Sequence, residues 1–336
     1  MSDLLDTFRN IIQEDVAGRG LGADANANLL NALPNDFAQA CQALVSVSNA
    51  RVGIVTGFYI PHGRPPAAET DGPLGAIFLA RALTDLGIGV VLASDRFCRL
   101  ALETGVWFTG LRKQVPVVSL ADPNEGLAPA DYREHFFDRA GSLTHLIAIE
   151  RVGPSYTPEA LEQAGAEPTH RQAFEREVRP EDYNRCHTMR GLDITPHMSP
   201  AHYLFETAVD DDSRHPGTIA IGDGGNEIGM GKIPWWVIRQ NIPGGAKVAC
   251  RIPADHLIVS GISNWGAYGL AAGVYHLLGK TPPADLFDPE HERRILEMMV
   301  DRGPLVDGVS GEPETTVDGL EFDRYAEPLR QLAAFF

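Results

Sequence analysis

The chain predicts an α/β fold: a mostly parallel sheet flanked by helices, with an N-terminal helical segment and a long irregular excursion. Short runs that are apolar on both faces recur at 52–57, 88–93, 115–118, 145–149, 218–221 and 257–259. Strands covered on both sides read this way, whereas a strand with one wet face alternates. Helical patterns separate the runs, as in successive βαβ units. Polar residues collect just after the runs, where the strand ends of an open parallel sheet face a ligand crevice.

Residues 1–50 predict two helices. Leu4, Leu5, Phe8, Ile11 and Ile12 keep helical spacing, and a second apolar series runs from Leu29 to Val47, interrupted by Pro34. The strand at 52–57 leads into a polar, proline-rich loop over 59–72. Pro73 then opens a helix over 73–83, at the first position, where its missing N–H costs nothing. The strand at 88–93 completes a βαβ unit. After the last strand, Trp265, Tyr268, Leu270, Ala271, Val274 and Leu277 form the apolar positions of a helix over 264–278. Residues 151–217 are charged and proline-bearing and are expected to form an excursion or lid. The expected organisation is a 1–50 helical segment followed by one α/β domain over 51–336.

Of the 336 residues, 44% are hydrophobic and 22% charged, which places the chain among ordinary globular proteins and not disordered ones. No apolar run approaches the roughly 18 residues of a membrane span. The N-terminus has neither a basic n-region nor an Arg-rich transit pattern, so a cytoplasmic location is expected. A net charge of −17 argues against nucleic acid and anionic membranes as partners. The four cysteines show no CxxC spacing and predict buried, reduced thiols.

The most informative stretch is the loop over 222–231, which follows a short strand and carries five glycines with Asp223, Asn226 and Glu227. Glycines let a backbone approach a ligand closely. The spacing fits neither a dinucleotide fingerprint nor a Walker A loop, because the sixth position is Glu227 and Gly231-Lys232 is followed by Ile233. With no basic residue, the loop would repel a bare phosphate. Its acids suit a divalent cation, an ammonium group or proton transfer, and a capped turn would need only one of them.

The other strand ends are similar. The first leads to Arg64, Glu69, Thr70 and Asp71, the fourth to Glu150 and Arg151, and the last to Ser260, Ser263 and Asn264. Glu69, Asp71, Glu150, Asp223 and Glu227 are therefore expected to share one pocket. Crowded carboxylates need a compensating cation or protons, and hard oxygen donors suit Mg²⁺, Mn²⁺ or Ca²⁺. His62, His187 and His197 lie in loops and are expected to be surface or hydrogen-bonded residues.

The segments Gly222-Asp-Gly-Gly-Asn-Glu-Ile-Gly-Met-Gly231, Glu69-Thr-Asp-Gly-Pro73, Ile149-Glu-Arg-Val-Gly153 and Thr316-Val-Asp-Gly319 resemble the D-glutamate cyclase family, in particular its C-terminal catalytic-type domain. The resemblance spans about residues 45 to 330. It implies an α/β lyase with an acidic, metal-binding cleft that converts D-glutamate to 5-oxo-D-proline with loss of water. In animals this domain follows a second one in a mitochondrial protein; a free-standing prokaryotic version is expected here.

That chemistry needs a carboxylate to take a proton from the amino group, and an acid or a Lewis-acidic metal at the departing γ-oxygen. Asp223 and Glu227 are the candidate catalytic groups. Arg64, Arg151 and Arg190, with Gly224, Gly225, Asn226, Ser263 and Asn264, are the candidates for binding the amino acid, Arg64 first because it shares a loop with Glu69 and Asp71. A metal-dependent phosphohydrolase and a non-enzymatic metal or amino-acid binder are the alternatives, and homo-oligomer formation stays open.

Overall fold

The computed structural model describes residues 2–206 and 215–336. Six strands form one wholly parallel sheet: β1 (Arg51–Thr56), β2 (Gly89–Ser94), β3 (Val117–Ser119), β4 (His145–Ile149), β5 (Gly217–Gly222) and β6 (His256–Val259). Their order is β3-β2-β1-β4-β5-β6. The order reverses between β1 and β4, and in such doubly wound sheets ligands bind beyond the strand carboxyl ends at that point. Glu69–Asp71 follow β1 and Glu150 follows β4, so the sequence places acids on both sides of the switch.

Side chains alternate between two cores, as the period of two requires. Val52, Ile54, Ile147, Ile149, Ile219, Ile221 and Ile258 point to one face. Val55, Leu146, Ala148, Ala220, Leu257 and Val259 point to the other. The first face is covered by α1 (Ser2–Ile12), α2 (Asp36–Ser46), α3 (Pro73–Asp85) and α4 (Arg96–Phe108). The second carries α5 (Pro129–Ala140), α6 (Pro158–Gln163), α7 (Pro168–Glu177) and α8 (Trp235–Asn241). The chain then returns to the first face with α9 (Ser263–Leu278) and α10 (Pro289–Arg302).

Two expectations need correction. The second N-terminal helix starts only at Asp36, and turns occupy most of the preceding residues back to Gln13. Pro34 closes the earlier apolar series, and Leu21 and Leu29 instead pack on the second core. The described residues between 151 and 206 hold more regular structure than their composition suggested. Pro158 and Pro168 each stand at the start of a helix, a position proline favours, and Leu161 and Phe174 are buried on the second face. Residues 207–214 of the expected excursion lie outside the described residues.

All four cysteines are unbridged and buried. Among the described residues, no helix is long and apolar enough to cross a membrane.

Candidate active site

Three strand ends deliver acids to one place, and a fourth delivers Ser263 and Asn264. After β1 the chain makes a small hairpin (Tyr59–Ile60 with Ala67–Ala68) and returns as Glu69-Thr70-Asp71. Glu69 N–H donates to Phe58 O at 3.1 Å and Thr70 N–H to Val306 O at 2.9 Å. Asp71 sits at the amino end of α9, where its carboxylate accepts from Ser263 N–H at 3.0 Å and Asn264 N–H at 2.8 Å. The carboxylate thus satisfies donors that a helix start leaves open.

Glu150 follows β4 with a φ of 44°, a left-handed conformation uncommon for a residue with a side chain. Its carboxylate accepts from Ser263 Oγ at 2.6 Å. Such backbone strain persists where surrounding contacts over-determine it, and it concentrates at functional sites.

The loop after β5 folds around Glu227. One oxygen accepts from the N–H groups of Asp223 at 2.9 Å and Gly224 at 2.6 Å, and the other from Gly225 N–H at 2.7 Å. Gly229, at φ 102°, passes so close to β5 that a Cβ would lie 2.2 Å from the Cβ of Ala220. Only glycine fits there. Asp223 is left facing the cluster, where it accepts from Ser263 N–H at 3.2 Å.

Two more residues join from distant segments. Arg19 pairs with Asp223 and, at 2.7 Å, with Asp318. Asp318 lies on a loop organised by Asp307, which accepts from the N–H groups of Val309, Ser310 and Gly319. The carboxyl oxygens of Asp71, Asp223 and Asp318 come within 4.8 Å of one another, and so do those of Glu150, Asp223 and Glu227.

Electrostatics follow from this crowding. Glu69, Asp71, Glu150, Asp223, Glu227 and Asp318 are all buried, and among the described residues Arg19 is the one base that ion-pairs with them. Burial is the main cause that pushes up Asp223 and Asp318, each to about 6; Arg19 pulls both back. Glu69 and Asp71 are raised well above the usual carboxylate range by burial and then by Asp318. Glu150 is raised by burial and then by Asp223. Carboxyls held this way bind protons, or a cation, far more readily than solvated ones.

The donor set fits a hard divalent cation. It consists of oxygens alone, and two further buried oxygens beside it, Asn226 Oδ1 and Thr56 Oγ1, have no hydrogen-bond partner. A Cβ on Gly224 would lie 3.0 Å from Asn226 Oδ1 and 3.1 Å from Glu227 Oε1, so the carboxamide oxygen faces the same small space as the acid. Glu150, Asp223 and Glu227 are the residues that would hold such an ion.

A family model described as D-glutamate cyclase-like, C-terminal, matches residues 8–170 and 161–333. The chain belongs to this D-glutamate cyclase-like family. The match begins within α1, so it takes in Arg19 and the N-terminal helices as well as the sheet. A curated relative, the mitochondrial D-glutamate cyclase of Homo sapiens, is 29% identical over 323 residues, which cover 87% of this chain and 47% of the relative. The chain therefore spans about half the length of that relative.

The expected acids Glu69, Asp71, Glu150, Asp223 and Glu227 and the polar residues Ser263 and Asn264 all meet at this cluster. The expected arginines do not. Arg64 is exposed and lies 3.5 Å from Glu312, away from the buried acids. Arg190 is turned outward, donating to Val309 O. Arg151 is fully buried but pairs with Asp95 and donates to Gly57 O and Ser199 O, so it ties strand ends together. The N–H groups of Gly224 and Gly225 are taken up by Glu227, which leaves them no role toward a substrate carboxylate. His187, expected to be a surface or hydrogen-bonded residue, is fully buried, with Nε2 3.6 Å from Asp182. Arg19 and Asp318 were absent from the expected site. The Thr316-Val-Asp-Gly319 motif held the signal for Asp318; nothing local in Gly18-Arg19-Gly20 distinguishes Arg19.

Proposed function

We propose that this chain is a lyase that closes D-glutamate to 5-oxo-D-proline with release of water, assisted by a divalent cation such as Mg²⁺ or Mn²⁺. One observation carries the reading: six buried carboxyls, at least four of them held above their ordinary range, at the switch point of a doubly wound sheet. Membership of the D-glutamate cyclase-like family and the likeness to the human relative support it.

The reaction forms a bond between the amino nitrogen and the carbon of the γ-carboxyl group (Cδ) and breaks one of that carbon's bonds to oxygen. The ammonium gives up two protons, and the departing oxygen takes both and leaves as water. Charge is conserved, so the site must move protons rather than store them. Asp223, near 6, is largely ionised at neutral pH and takes the first proton. Asp71, raised well above the ordinary carboxylate range by burial and then by Asp318, lies beside Asp223 and outside the ligands of the cation, and it gives one to the leaving oxygen; Ser263 Oγ fixes the orientation of Glu150. Two carboxyls in unequal environments are a recurrent solution to paired acid and base work.

A cation held by Glu150, Asp223 and Glu227 would neutralise the γ-carboxylate and polarise it. Closure is intramolecular, so holding the folded-back conformer supplies much of the acceleration. The acids are buried in this structure, and admission of an amino acid therefore requires a local opening. The cytoplasm is the proposed setting.

The test is to incubate the purified chain with D- or L-glutamate and Mg²⁺ or Mn²⁺ and to assay 5-oxoproline. Product from D-glutamate supports the reading. Failure with both enantiomers, together with hydrolysis of phosphoesters, would replace it with a metal-dependent phosphohydrolase.

A further inference from the structure

Five of the six acids of the cleft form two overlapping groups of three, Asp71/Asp223/Asp318 and Glu150/Asp223/Glu227, within each of which the carboxyl oxygens lie within 4.8 Å of one another. The two groups are not equivalent. Arg19 spans Asp223 and Asp318 and so sits in the first. No basic side chain among the described residues pairs with Glu150 or Glu227, and the unpartnered, buried Asn226 Oδ1 lies on that second side. We propose that Arg19 is a built-in cation that occupies the first group permanently, so that the cleft accepts one divalent ion, at Glu150/Asp223/Glu227, and not two. The inference rests on the cation reading of the cleft given above.

The segment that carries Arg19 is built to stay. The Asp15 carboxylate accepts from the N–H groups of Arg19, Gly20 and Leu21 at 2.9, 2.9 and 3.0 Å. Its neighbours are clamped to the end of β6: Gln13 Nε2 donates to Val259 O at 3.1 Å, and Gly261 N–H donates to Ile12 O at 2.8 Å. The anchored backbone limits how far the guanidinium can travel, and moving it would break two ion pairs. A divalent ion beside a fixed guanidinium meets like charge, and a guanidinium always carries its proton. Two-ion catalysis needs metals about 3.5–4 Å apart, and Arg19 takes the place the second would need. The device would leave a carboxyl-rich cleft open to one-ion chemistry alone.

The experiment is Mn²⁺ titration of the full chain by calorimetry, with bound metal counted by elemental analysis and thermal melts run with and without Mn²⁺. Wild type and Arg19→Lys are expected to bind one ion, and Arg19→Gln two, with a larger Mn²⁺-induced rise in melting temperature. Asp318→Asn, which alters only the first group, is expected to keep one ion within about threefold of wild-type affinity. Two ions on the wild type, any result for folded Arg19→Gln short of a second ion, or loss of the ion in Asp318→Asn would each overturn the proposal. Should Arg19→Gln not fold, the wild-type count and Asp318→Asn decide. Absence of Mn²⁺ binding by all the proteins would overturn it together with the cation reading, whereas an unchanged single ion overturns this proposal and leaves that reading standing.

Discussion

Asp71 and Asn264 cap each other's helices. The Asp71 carboxylate accepts from Asn264 N–H at the start of α9, and Asn264 Oδ1 accepts from Gly72 N–H at 2.9 Å and Gly75 N–H at 2.7 Å at the start of α3. One pair of residues thus fixes the angle between the two helices that cover the centre of the sheet, and holds Asp71 in the cluster.

Asn264→Ala removes the acceptor and leaves the buried Gly75 N–H unpaired, while Gly72 N–H keeps Asp71 Oδ1 at 3.0 Å. A loss of roughly 1–3 kcal/mol of unfolding free energy is expected, the scale of one orphaned buried donor. Urea unfolding measures it. A variant within 0.5 kcal/mol of wild type (about the scatter of neutral surface changes) would mean that the reciprocal caps contribute little.

Asp223 and Glu227 differ in role despite being four residues apart. Asp223→Asn should leave the fold intact and cut 5-oxoproline formation by about 10²-fold or more, the scale of a lost proton-transfer group. Glu227→Gln should instead lower the melting temperature, because an NH₂ group would face the N–H of Gly225 or those of Asp223 and Gly224. Melts and rates on both variants separate the two. Equal stability of both would remove the distinction.

A second prediction about protonation concerns Glu292, away from the cleft. Burial pushes its carboxyl up from 4.5 to about 7, partly offset by Arg81 and by the hydrogen bond from Tyr268. A raised folded value means stability that is fully present below the unfolded value and lost as pH rises through the folded one. The loss therefore falls between about 4.5 and somewhat above 7, and amounts to on the order of 3 kcal/mol. Glu292→Gln cannot ionise, so its stability relative to wild type should rise by about that amount between pH 5 and pH 8.5. Parallel pH profiles for the two proteins would contradict this.

The strands were legible because burial on both faces leaves a dense apolar run; His145–Ile149 is the expected segment without a residue's change. The acids were legible for a related reason, since Asp223, Asn226 and Glu227 stand at a strand end with no role in a core. Partners of backbone groups were not legible. Whether Gly224 N–H meets a substrate or Glu227 depends on how the loop closes, and residue types do not specify that. The arginines failed on direction: Arg64 shares a loop with Glu69 and Asp71, yet its side chain points to solvent. Arg19 reaches Asp223 from more than 200 residues away, through α1 packing against α9, a contact that only the assembled fold creates.

D-Glutamate carrying ¹⁸O in both oxygens of its γ-carboxylate, incubated with the chain and Mn²⁺ and followed by mass spectrometry, shows whether the cleft closes D-glutamate by expelling one of those oxygens. 5-Oxoproline that retains one of the two labels is expected, and none above background with Asp223→Asn. Labelled D-glutamate recovered unchanged, or product formed equally well by the Asp223→Asn variant, would contradict this.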